Sequence, residues 1–491
     1  MKQNKKKEPK QEFKGIIKRF WPFNDRLAVS LIVLLVFIGS LTPVFRAMIN
    51  VPYVGSYFYE MKQVLPRLGY QYFIISEVDC IGYYSYLRST VIDHDLDFKN
   101  DFTLFGWKRW GEEEKSPTGL TFNPWSVGPA ILWSPAFFVG HAVSHGMNLF
   151  GANLPTNGVS FVYDFFIVML SMFYGLIGFL FIYFFLRFFF SPVISFLAFF
   201  FLFYASPLIF YEFHEPTMSH IPTVFAVSGL IYFWYKTWLN KSNKDWLILG
   251  VWSGLVMLIR PQDVFFIFFP VLFESLVLIW RNKKIPLSLI LGLFLMGFVM
   301  VVCFIPQMLA WKILEGAFIA NPQRAGFMQW SNPHVIPVMF SSNHGLITYT
   351  PIILFTLLGL FIFNRKDRQQ LLIFLSFLLI FLFELYVNSA AAAWDGGWAF
   401  GGRRFLSCSI IFAWGLANLL NWLKKYKTVF YSVLGLFSLL IIFNLLFYFQ
   451  WAYGMIPRAG DLTFQQYFGG KIDAFFLWLK VVGHIFSVIV S

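Results

Sequence analysis

Long apolar runs separated by short polar breaks dominate this chain. The first run extends from Leu27 to Val44. Others follow at about 127–148, 159–186, 192–211, 221–238, 246–260, 264–280, 286–306, 350–363, 370–388, 405–423 and 428–451, with a weaker stretch at 474–490. Most are near the ~20 residues a helix needs to cross a bilayer. Inside lipid a helix satisfies its own backbone groups, and even period-2 alternation, the mark of a membrane barrel, is absent. The pattern predicts an all-α polytopic membrane protein of about 11–13 spans. Three polar excursions interrupt it, at about 50–123, 311–349 and 390–404. The first mixes aromatic and charged residues, which predicts short juxtamembrane helices.

Composition agrees: 58% of residues are hydrophobic and 13% charged, and mean hydropathy is +0.64. The net charge of +13 reads as topology rather than as nucleic-acid binding. Lys2, Lys5, Lys6, Lys7, Lys10, Lys14, Lys18 and Arg19 precede the first span. Further positives sit in short loops at Lys236, Lys241 and Lys244, at Arg281, Lys283 and Lys284, at Arg365, Lys366 and Arg368, and at Lys424, Lys425 and Lys427. Such loops face the cytoplasm. The reading is therefore a multi-pass protein of the inner or plasma membrane. It has a basic cytoplasmic N-terminus (1–26), an uncleaved first helix, a bundle (27–451) and a C-terminal segment (452–491) holding a candidate last span.

The charge pattern contains one conflict. Counting from the basic loops places Arg187 in the cytoplasm. Counting from the N-terminus does so only if 127–186 crosses an odd number of times, yet two runs lie there. Either 159–186 breaks near Gly175 or Gly178, or 127–148 does not fully cross.

The candidate chemistry lies in the excursions and turns on the other face. Asp79 could accept a proton from a hydroxyl or simply cap a helix. Asp93, Asp95 and Asp97 alternate as cation ligands can, but Asp favours turns, and a solvated turn is the preferred reading. No metal site or cofactor is assigned. Cys80, Cys303 and Cys408 lie far apart, without metal or disulfide spacing. His214, Glu215 and His220 join two runs and could bind the hydroxyls of a ligand or assist proton transfer, or simply form a hydrated interhelical turn. Arg260 sits at a hairpin tip, where it needs a phosphate or an acid such as Asp263 as partner. Trp394, Asp395 and the glycines around them precede Arg403 and Arg404, a positive pair on the face where charge bias disfavours it.

Together these segments resemble the GT-C-type integral-membrane glycosyltransferases, particularly the bacterial family 39 mannosyltransferase and aminoarabinose-transferase group. The resemblance rests on Asp79 with Gly82-Tyr83-Tyr84-Ser85-Tyr86-Leu87, on Asp95-Leu96-Asp97-Phe98, and on Gly128-Pro129-Ala130-Ile131-Leu132-Trp133-Ser134-Pro135. It continues through Glu215-Pro216-Thr217-Met218-Ser219-His220 and Ile259-Arg260-Pro261 to the segment from Trp394 to Arg404. It implies a GT-C bundle with an extracytoplasmic site, a polyprenyl-phosphate sugar donor, a glycan, lipid or protein acceptor, and inverting transfer with Asp79 as base. Asp79-Cys80 replaces the family's usual Asp-Glu pair, and Glu77 lies before the Asp. Lys99, Arg260, Arg403 and Arg404 are the candidates for the donor phosphate. Glu77, His214, Glu215, His220, His344, Trp394 and Asp395 are the candidates for the remaining substrate contacts. Two other classes fit less well: a transporter or flippase of lipid-linked sugars, for which no internal repeat is evident, and a polysaccharide polymerase or ligase.

Overall fold

The computed structural model describes residues 23–48, 78–323 and 325–490, so Glu77 lies outside the described residues. The described residues form helices joined by loops, and two isolated bridges, Lys115 with Thr121 and Met328 with Ala391, are the β-type pairings among them. In chain order the principal helices are α1 (Asp25–Met48), α2 (Val78–Arg88), α3 (Gly128–Leu149), α4 (Phe161–Leu186), α5 (Pro192–Tyr204) and α6 (Leu208–Phe213). Then come α7 (His220–Lys236), α8 (Asn243–Ile259), α9 (Phe265–Asn282), α10 (Leu287–Glu315) and α11 (Ile352–Leu360). The last four are α12 (Arg368–Ala390), α13 (Ser409–Leu423), α14 (Lys427–Ala452) and α15 (Gly470–Val490). Among the described residues, six helices are long and apolar enough to cross a bilayer: α4, α10, α12, α14, and α9 and α13 with the turns that precede them. This is the predicted polytopic all-α protein.

Local chemistry sets the ends of these helices. Ser242 and Asp245 form a reciprocal capping box that starts α8. Asp367 caps α12 by accepting from Gln369 and Gln370 N–H. Pro261 disfavours a helical conformation at the residue before it, and Arg260 is extended at φ −147°. That break fixes the arginine at the tip of the α8–α9 hairpin. Glycines set the closest helix contact: a side chain on Gly359 of α11 would collide with the Gly415 carbonyl of α13.

Packing separates two ends of the bundle. Arg187, after α4, pairs with Asp25 at the start of α1 at 2.5 Å. Phe185 packs on Tyr235 at the end of α7, and the Arg368 guanidinium lies 4.9 Å from the Trp280 ring centre. The basic loops and the start of α1 therefore share one end. This bears on the conflict in the charge count. α4 is one unbroken helix through Gly175 and Gly178. α3 packs only along the half of α4 remote from Arg187: Tyr174 donates to the Leu132 carbonyl at 3.0 Å, and Gly140 abuts Tyr163. Residues 127–186 thus connect the two ends once. Within the first excursion, short helices at Lys99–Leu104 and Lys108–Glu113 follow α2, as expected of that loop.

Candidate active site

At the end opposite the basic loops, five elements deliver polar side chains to one place. Asp79 lies in the first turn of α2. Its Oδ1 accepts from Trp125 Nε1 at 3.1 Å, and its Oδ2 pairs with Arg403 Nη2 at 3.1 Å. Trp125 can reach it because Gly82, one turn on, leaves room where any side chain would strike the indole. Tyr83 Oη donates to Ser219 Oγ at 2.9 Å, which ties α2 to the start of α7.

Arg403 is aimed by the glycine segment before it. Its Nη2 also donates to the Gly396 carbonyl at 3.0 Å. Gly401 has φ +63° and faces Pro207, where a Cβ would lie 2.8 Å from the ring. Only glycine combines that left-handed conformation with so close an approach. Arg260 Nη1 lies 3.4 Å from His220 Nδ1 and 3.4 Å from the Arg404 carbonyl oxygen. The His220 ring packs on Tyr211 at 4.9 Å. Glu215 is buried and within electrostatic reach of Arg403. The Arg404 guanidinium makes no hydrogen bond or ion pair among the described residues, although Arg260, Arg403, Asp79 and Asp395 surround it.

A second group adjoins the first. A small void of about 10 Å³ is lined by His344, Trp394, Asp395, Arg403 and Arg404, among others. His344 Nδ1 bonds to the Asp395 carbonyl at 3.0 Å, while its Nε2 is buried without a partner among the described residues. Burial holds its imidazole below the usual histidine range. Asn343 donates to Asp395 Oδ2 at 3.1 Å, and Trp394 stacks on His334.

Asp79, Glu215, His220, Arg260, Arg403 and Arg404 thus converge, with His344, Trp394 and Asp395 beside them. Two further candidates lie elsewhere. His214 stacks on Phe210 and meets Tyr448 Oη at 3.2 Å, in an aromatic layer against α14. Lys99 is exposed and lines a separate shallow depression with Asp95 and Asp97, so the fold does not bring it to the arginines. The acidic run around it is engaged within its own loop. Asp93 pairs with Arg88 at 2.6 Å, Asp95 accepts from Ser89 at 2.8 Å, and Asp97 accepts from Thr121 at 2.8 Å. Arg88 also pairs with the fully buried Asp101 at 2.9 Å. Burial nevertheless pushes that carboxyl up to about 7, against the pull of Arg88.

Sequence reasoning missed Trp125, Tyr83 and Glu384. Trp125 and Tyr83 carry no signal beyond membership of an aromatic-rich loop. Glu384 is an acid inside an apolar run, which by itself marks a residue that faces other protein groups.

Residues 159–311 match the model of the dolichyl-phosphate-mannose-protein mannosyltransferase family. Together with the helical bundle, this supports a membrane glycosyltransferase of the GT-C type. The match covers less than a third of the 491 residues. It takes in the His214–His220 turn and Arg260 but neither Asp79 nor the Arg403–Arg404 pair. No curated protein and no solved structure matches the chain.

Proposed function

We propose that the protein transfers a sugar from a polyprenyl-phosphate donor to an acceptor hydroxyl, with inversion, at the extracytoplasmic end of the bundle. The observation that carries this reading is the meeting of Asp79 with three arginines, the guanidinium of one of which forms no hydrogen bond or ion pair among the described residues. Arg403 is matched by Asp79, Arg260 is only loosely paired at 4.0 Å, and Arg404 has no acid partner among the described residues. A half-buried guanidinium that forms no ion pair among the described residues is suited to a phosphate, which accepts its planar fork.

In the reaction, the acceptor oxygen attacks the anomeric carbon as its proton passes to Asp79. The bond between that carbon and the donor phosphate oxygen breaks, and the electron pair leaves with the phosphate. Trp125 and Arg403 hold the carboxylate in place for the proton. Arg260 and Arg404 stabilise the charge that develops on the leaving phosphate, which is the larger share of such catalysis. His220 and Glu215 on one side, and His344, Trp394 and Asp395 on the other, are the sugar contacts.

Purified protein in lipid, assayed with a panel of polyprenyl-phosphate sugars, tests the donor class; absence of transfer from every member would refute it. Sidedness is tested separately. The basic loops support an outside location for Ser331 and Ala392, so cysteines there are expected to react with an impermeant thiol reagent in intact cells. Labelling only after lysis of the inner membrane would reverse the orientation.

A further inference from the structure

Behind Arg260 lie two acids that the transfer reaction does not use. Asp263, in the 3-10 turn before α9, is 0% exposed, and its Oδ2 is 4.0 Å from Arg260 Nε. Glu384, on α12, is also 0% exposed. The turn packs on α12, which brings the two acids within electrostatic reach of one another, with Ser407 near Asp263. Cys408 is the other titratable group near the pair. Asn388, one turn beyond Glu384, donates to the Glu384 carbonyl at 2.8 Å and to Oε2 at 3.4 Å. Gln262 in turn donates to Asn388 Oδ1 at 3.4 Å. Both Asp263 oxygens and Glu384 Oε1 are buried without a hydrogen bond of ordinary length.

Charge counting constrains this arrangement. Two ionised carboxylates against one guanidinium would leave a net negative charge in a dry interior, where two neighbouring like charges are strongly disfavoured. One proton shared between them makes the triad neutral. Asp263 is the acid adjacent to the guanidinium, so it keeps the charge. Glu384 keeps the proton, with the Asn388 amide against its other oxygen.

We propose that Asp263 and Glu384 are a proton-sharing pair that positions Arg260. Asp263 holds the Nε side of the guanidinium. The Nη1 edge stays directed toward His220 and the Arg404 carbonyl, where an anion would sit. A fully ionised pair would compete with that anion, and an uncharged one would leave the arginine unanchored. The inference rests on Arg260 facing the donor phosphate; the protonation state of the pair does not.

The test has two arms. In infrared difference spectra of the purified protein in lipid at neutral pH, wild type minus Glu384→Gln shows the carbonyl stretch of one protonated carboxylic acid. In the transfer assay, Glu384→Gln mimics the protonated acid, so its donor KM stays at least about tenfold below that of Glu384→Ala. Asp263→Asn raises donor KM by about tenfold or more, with less effect on kcat. Melting curves restrict the comparison to variants that fold. Absence of the carbonyl difference band overturns the shared proton. Equal KM values for Glu384→Gln and Glu384→Ala overturn the positioning role. A wild-type protein that shows the band but transfers no sugar leaves the pair standing and refutes the function proposed above.

Discussion

The two ends of the bundle both collect positive charge, but they dispose of it differently. At the basic end, Lys241 and Glu274 form a pair at 2.5 Å with side chains 2% and 1% exposed. Lys241 also reaches the Trp234 and Thr237 carbonyls, and Leu239 N–H donates to the same Glu274. The other cations there rest on an acid, as Arg187 does on Asp25, lie over aromatic rings, as Arg368 does over Trp280, or face outward. At the opposite end, three arginines meet Asp79, Glu215, Asp395 and the Asp263–Glu384 pair, and of the three Arg404 forms no ion pair among the described residues. A buried cation whose hydrogen bonds are complete is part of the scaffold. One whose hydrogen bonds are open keeps donors for a ligand, which is the role proposed above for Arg404.

The sharpest way to break this contrast is to remove the base. Asp79→Asn keeps shape and hydrogen bonding but cannot take a proton, so transfer falls by about 10²–10⁴-fold in the purified enzyme while its melting curve is unchanged. Near-normal turnover would place Asp79 among the scaffold residues.

At the other end, Lys241→Met strands the Glu274 carboxylate in the interior. The expected cost is about 3–5 kcal/mol of stability, read as a lowered melting temperature in lipid. Transfer per folded molecule is preserved.

Next comes the phosphate contact. Arg260→Gln weakens donor binding by more than about tenfold, the equivalent of ~1.4 kcal/mol. Arg260→Lys recovers only part, since an ammonium cannot present two parallel donors. Unchanged donor binding in both variants would make Arg260 a structural partner of Asp263.

The smallest effect belongs to Arg187→Gln. That pair is partly solvated, with side chains 26% and 51% exposed, and such pairs contribute at most about 1 kcal/mol. Its loss shifts the melting temperature slightly and leaves transfer unaltered. A large loss of activity would mean that the basic end also takes part in the reaction.

Much of this organisation was legible in the chain. The apolar runs gave nearly every long helix to within a few residues. Glycine and proline marked the turns at Arg260 and around Gly396–Gly402, because those residues restrict or release the backbone locally. Other features were not legible. The run at 127–148 reads as a span, yet α3 is not among the six helices long and apolar enough to cross a bilayer, and hydropathy does not record which neighbour covers a helix. Lys99 and Arg404 looked equivalent as cations beside motifs of the chain; one ended exposed beside Asp95, the other half-buried near Arg260 and Arg403. Glu384 drew no attention, since its partner is more than a hundred residues away.

By itself, then, the sequence determined that this is a helical membrane protein, where its helices begin and end, which loops are basic and which hold acids and arginines. These follow from hydropathy, capping and turn chemistry, which act over a few residues. Only the tertiary structure decided that Asp79 meets Trp125 and Arg403, that Arg404 forms no ion pair among the described residues, and that Asp263 comes near Glu384 behind Arg260. Those are contacts between helices distant in the chain. Their energies depend on burial and on which charges are brought together, and neither is a property of any one segment.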